Sequence, residues 1–227
     1  MADSVLNKAT QFFWHLFCLN LIFFASNTPL MIILLFVVFH WITLPLYFMA
    51  LFLFTISVQA MLLTLKRVLQ TEELSILRQY IIAYQETFKH SKKFLLTYLI
   101  CAIILLIGYV NIGLMPINQT LFTSTYLILL VLLYVHFIFG LLIQTHFIMD
   151  IKGTWKLGLY CISKHPLLSM LIFIKTLVVG FMIQVIPALL LLGIIPLLGY
   201  SIFKMTEQTF EKLKVVLIEK HEALKTE

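Results

Sequence analysis

Charge is scarce in this sequence. Lys, Arg, Asp and Glu together make up 11% of its 227 residues and apolar residues 62%, against roughly 25% charged residues in soluble domains. So few charges cannot cover a water-facing surface, and the solvent for most of the chain must be lipid. Cysteine is nearly as rare. Cys18, Cys101 and Cys161 stand far apart, which excludes a disulfide framework and a thiolate metal site. Acidic side chains are missing from every long apolar run, so no pair of catalytic carboxylates can be assembled there. Also missing are a phosphate-binding glycine loop, a nucleophile elbow and an HExxH pair. His15, His40, His136, His146 and the other three histidines form no ligand spacing. His136 and His146, ten apart on one helix, would point about 80 degrees from each other. These absences lead to the expectation of a non-enzymatic protein without cofactor or metal.

What is present is three long uncharged or nearly uncharged intervals. Residues 9–65 and 94–149 carry no charge, and 166–203 carries one, Lys175. A crossing needs about 20 residues, so each interval holds two. The first is interrupted at His40 to Pro45, the second between Asn111 and Ser124, the third near Gln184. The predicted fold is therefore all-α, a polytopic transmembrane helix bundle with six spans at about 12–39, 45–63, 94–110, 125–148, 166–183 and 185–203. Asn27, Thr28 and Pro29 inside the first span predict a kink or an early exit near Ser26, because proline cannot donate its backbone hydrogen bond.

The formal charge of +6 does not form a nucleic-acid-binding face. Lys66, Arg67, Arg78, Lys89, Lys92 and Lys93 fall between spans 2 and 3, Lys152, Lys156 and Lys164 between spans 4 and 5, and five further lysines after span 6. The three opposite loops are uncharged. By the positive-inside tendency both termini are cytoplasmic. Asn118, Gln119 and Thr120 form a glycosylation sequon in a loop placed outside.

Two cytoplasmic elements are amphipathic. In the helical loop 64–93, Leu74, Leu77, Ile81, Tyr84 and Phe88 recur at helical spacing behind Thr71 as N-cap, a face for the membrane surface or for a docked partner. The C-terminal helix, 204–227, continues the pattern with Phe210 and Leu213.

Within the spans, Lys175 stands without any acidic partner and is a candidate for substrate binding, since an intramembrane lysine faces the bundle interior or a wet cavity. Asn20 and Gln144 are the other candidates. Together with Gln59, these amides can link helices or hold a polyol.

The runs Cys18-Leu19-Asn20-Leu21-Ile22-Phe23-Phe24 and Asn27-Thr28-Pro29-Leu30 are followed by Leu65-Lys66-Arg67-Val68, Glu72-Glu73-Leu74-Ser75 and Tyr84-Gln85-Glu86-Thr87-Phe88-Lys89. Together they resemble the YesL-like membrane proteins of Gram-positive bacteria, a domain of unknown function. The chain departs from that family at Leu44-Pro45-Leu46-Tyr47, where a glycine-proline turn is usual. The resemblance implies a bacterial plasma membrane and an accessory role beside carbohydrate uptake, and it carries over no catalytic residue. The expected function is thus a non-enzymatic partner or regulator of a carbohydrate transporter component. The alternatives are a small autonomous transporter and a permease subunit of an ATP-driven importer.

Overall fold

A computed structural model describes residues 2–38, 40–70, 75–112, 119–147, 149–190 and 192–223. Every described element is helical: α1 (Ala2–Ser26), α2 (Thr28–Phe36), α3 (Leu44–Gln70), α4 (Ile76–His90), α5 (Lys92–Asn111), α6 (Gln119–His146), α7 (Ile151–Lys164), α8 (Pro166–Val185) and α9 (Ile194–Ala223), with 3-10 turns at Trp41–Thr43 and Pro187–Leu190. Four of these helices, α3, α5, α6 and α8, are long and apolar enough to cross a membrane, and the bent pair α1–α2 raises the number to as many as five. Met170, Ile174, Leu177, Val178 and Phe181 of α8 lie exposed, a surface that suits hydrocarbon and not water.

The first span breaks where Pro29 predicts it. Asn27 separates α1 from α2 at an angle of 53°. Three short polar side chains take up carbonyls at the break: Ser26 Oγ donates to Phe23 O (2.8 Å), Asn27 Nδ2 to Phe23 O (2.7 Å) and Thr28 Oγ1 to Ala25 O (2.9 Å). A bend beside a proline thus costs few unmade hydrogen bonds.

Several boundaries correct the sequence reading. α3 runs on through Lys66 and Arg67, because helical hydrogen bonding does not stop where the membrane does. α6 begins at Gln119, within the stretch expected to be loop; Thr123, Ser124 and Thr125 bond back to the carbonyls of Gln119, Thr120 and Leu121, so their hydroxyls are satisfied inside the helix. The sixth span differs most. The chain does not turn at Gln184 but runs to Val185, passes the 3-10 turn, and restarts at Ile194, so only 194–203 of α9 is helix without charge. Gly193, at φ +90°, makes this restart possible, since side-chain-bearing residues rarely adopt a left-handed backbone. α7 occupies a segment read as a connection only.

The helices α3–α4–α5 and α6–α7–α8 share one plan. A helix of 27 or 28 residues is followed by one of 15 or 14 and then by one of 20. In each unit a single residue joins the second helix to the third. Ser91 N donates to Thr87 O and Ser91 O accepts from Leu95 N; His165 N donates to Cys161 O and His165 O accepts from Ser169 N. The residue one turn before each joint, Thr87 or Cys161, is buried.

α9 fastens the two units. Its Ile195 and Tyr200 pack on the cluster built from α1, α3, α4 and α5, and its Ile202, Phe203 and Phe210 complete the one formed by α6, α7 and α8.

Candidate functional site

Between the two units lies a polar chamber of about 650 Å³, within the size range of small-molecule sites. α3 contributes Gln59 and Arg67, α4 contributes Glu86, Thr87 and His90, the first joint supplies Ser91, and the end of α6 with the chain beyond it brings Gln144, Thr145, His146 and Asp150.

Gln144 binds the walls together. Its Oε1 accepts from Ser91 Oγ (3.3 Å), while Nε2 donates to Met149 O (3.1 Å) and Thr154 Oγ1 (2.6 Å). All three of these contacts are to protein, so this candidate for substrate binding is a tie between the joint, α6 and α7. Asn20 is elsewhere: buried on α1, it donates from Nδ2 to Leu190 O at 2.8 Å, fastening α1 to the turn before α9. Lys175 is in a third place, its Nζ donating to Ser201 Oγ at 2.6 Å between α8 and α9. The structure does not bring the three predicted residues together.

Gln59 and Thr87 are the chamber's open groups. Both are almost fully buried, at 1% and 2% exposure, and Gln59 Oε1 and Thr87 Oγ1 have no hydrogen-bond partner among the described residues. The orientation of the Gln59 amide follows from its neighbour. Thr145 Oγ1 spends its hydrogen on Leu141 O (2.7 Å) and so can only accept, taking a hydrogen from Gln59 Nε2 at 3.0 Å. The Gln59 carbonyl oxygen is thereby left as an acceptor. A buried polar atom left unmade costs about 1–3 kcal/mol, a cost that a hydrogen-bond donor entering the chamber relieves. Thr87, unlike most threonines of these helices, makes no bond to the preceding turn.

Arg67, Glu86 and Asp150 line the same chamber, and Lys66 is next to Arg67 in α3. Arg67 pairs with Glu86, Lys66 Nζ donates to Thr145 O (2.8 Å) at the C-terminal end of α6 where a cation is favoured, and Asp150 Oδ1 caps α7 by accepting from Gly153 N (3.0 Å). His146 bonds Leu142 O through Nδ1 (2.9 Å) and stacks between Phe203 and Phe210, with centroids 5.1 and 4.8 Å away. The buried thiol of Cys161, pushed up to about 11 by desolvation, is protonated and serves packing.

Sequence reading found the face of α4 that remains open, not the one that packs. Ile76, Tyr80, Ala83 and Thr87 are buried, whereas Leu77, Ile81 and Phe88 are 58%, 49% and 46% exposed and Tyr84 is half-buried. Leu74 and the N-cap candidate Thr71 lie outside the described residues, as does Asn118 of the sequon. Gln59 was legible as an amide that can link helices or hold a polyol, whereas Thr87 became a site candidate only when the two units came together, since a threonine in a helix carries no signal of its own.

Set against family models, curated proteins and solved structures, the chain matches none of them.

Proposed function

We propose that this is a six-span plasma-membrane protein with cytoplasmic termini that serves the uptake of a small polyhydroxylated solute, and that it holds this solute in the chamber between its two helical units. The observation that carries the reading is that Gln59 and Thr87, each with a buried side-chain oxygen that has no partner among the described residues, both line one cavity. Gln59 offers an acceptor only, Thr87 a donor and an acceptor, and the Arg67–Glu86 pair offers both kinds of group nearby. Hydroxyl groups answer to all of these, whereas a carboxylate or phosphate would meet the Gln59 oxygen with nothing to donate. A site between structural repeats is also where secondary transporters place their substrates. The sixth crossing is supplied by 186–203, whose 18 residues combine the 3-10 turn with the start of α9, close to the length a bilayer requires. It returns the basic C-terminal segment to the side of Lys152, Lys156 and Lys164, as the charge bias demands.

The experiment is binding of a panel of sugars and polyols to the purified chain in nanodiscs, with Gln59→Leu and Thr87→Val as variants. A bound solute should weaken at least about tenfold in each variant, the value of one hydrogen bond to a buried group. Unchanged binding in both would remove the chamber from this reading. Uptake by the chain alone in proteoliposomes would make it an autonomous transporter.

A second reading is favoured by the exposed stripe of α4. Leu77, Ile81 and Phe88 stand open although the helix is anchored by its other face, the arrangement an accessory subunit needs to meet a carbohydrate transporter component. This agrees with the role implied by the YesL-like resemblance. Crosslinking from Ile81 in native membranes tests it; adducts with lipid alone would count against it.

A further inference from the structure

A second cavity, about 750 Å³, opens between α7 and α9 and meets the chamber only at Met149, which lines both. Its cationic residues are Lys156 and Lys164 from α7 and Lys212 from α9, with His165 beside them, and among the described residues that line it none is acidic. The three lysines are exposed. Leu157 and Leu213 give the groove apolar walls between these cations.

Cations gathered on apolar walls match an amphiphile with an anionic head and a hydrocarbon body. The position of the groove agrees. His165 is the joint to α8, and beyond it Leu167, Met170 and Leu171 form an exposed apolar surface along which acyl chains can extend. Two acids of α9 are near in sequence to Lys212, but Glu207 is engaged with Lys204, and neither Glu207 nor Glu211 lines the groove. We infer that the α7–α9 groove is a binding site for an anionic phospholipid, with Lys156, Lys164 and Lys212 holding the phosphate and Leu157 and Leu213 the adjoining glycerol and acyl segment. Basic pockets at the cytoplasmic ends of membrane helices hold anionic headgroups by the same physics. The lipid would tie the C-terminal helix to the second unit, since its ligands come from both.

The test is retention of phosphatidylglycerol, followed by native mass spectrometry of the full chain extracted from vesicles of mixed phosphatidylcholine and phosphatidylglycerol. The variants are Lys156→Gln, Lys164→Gln and Lys212→Gln, singly and together, with Lys89→Gln/Lys93→Gln as a control elsewhere on the basic surface. Each single replacement should weaken retention about fivefold, and the triple about a hundredfold, while the control keeps wild-type retention. The single variants keep the test independent of any misfolding of the triple. Undiminished retention in the singles and the triple would overturn the proposal. So would an equal loss in the control, which would assign the effect to general surface charge, or complete displacement of the lipid by inorganic phosphate, which would leave no part for the apolar walls.

Discussion

The two three-helix units share a plan and hold their short helices by different chemistry. In the first, α4 is fixed through hydroxyls: Ser26 Oγ stands 2.7 Å from Tyr80 Oη and 3.2 Å from Ser57 Oγ, tying α1, α3 and α4 at one point, with the Arg67–Glu86 pair further along. Burial pushes the pKa of the Tyr80 hydroxyl up, which keeps it a neutral donor. In the second, α7 is held by rings and close approach. His136 Nε2 contacts Trp155 O at 3.0 Å, its Nδ1 meets Tyr98 Oη, and the three rings lie together with centroids 4.8–5.4 Å apart. Gly158 allows this, because a Cβ there would stand 2.7 Å from His136 Nε2. The difference teaches that helix lengths and joints set the plan, while the means of sealing it is free to vary. Gln59 and Thr87 both stand on the first unit, while Gln144, Thr145 and Thr154 give the second its own amide and hydroxyl contacts.

If the second unit depends on ring packing, the largest loss should come from Phe210→Ala. That side chain is buried against His146 and closes the second cluster, and its removal should cost about 3–5 kcal/mol in reversible unfolding; a loss below about 1 kcal/mol would show that α9 does not seal this unit. Next is Gly158→Ala, expected to cost about 1–3 kcal/mol by overpacking against His136. The same measurement on Ala83→Ser in α4 sharpens the contrast, since a hydroxyl there joins a region already rich in them. The smallest effect is Tyr80→Phe, about 0.5–1.5 kcal/mol for one neutral hydrogen bond. Were it to equal the loss for Phe210→Ala, the two units would not differ as described.

Much of the architecture was legible because lipid imposes a simple rule on sequence. Stretches with no charge mark α3, α5 and α6, a stretch with the single charge of Lys175 marks α8, and Pro29 marks the bend at Asn27, since each follows from a single local cost. The start of α6 was obscured because Thr123 and Ser124 look like loop residues until their hydroxyls are seen bonded within the helix. α7 was missed because the residues it buries, Thr154, Gly158 and Cys161, are small and do not form a hydrophobic stripe. In α4 the conspicuous stripe Leu77, Ile81, Phe88 is the open one, and the packed face of Ile76, Tyr80, Ala83 and Thr87 is quieter in sequence. Lys175, Asn20 and Gln144 were singled out for being polar in apolar surroundings, and each is engaged by a carbonyl, a hydroxyl or an amide contact from another segment.

The sequence by itself determined that the chain is helical and apolar enough for a membrane, where most of its helices lie, and which segments are basic. These are sums over neighbouring residues, and composition carries them. Only the tertiary structure decided the pairing of two like units, the chamber between them, and the groove that unites Lys156 and Lys164 with Lys212. These depend on which oxygens find a partner and which cations share a surface, and such contacts join residues that the chain itself keeps 48 or more positions apart.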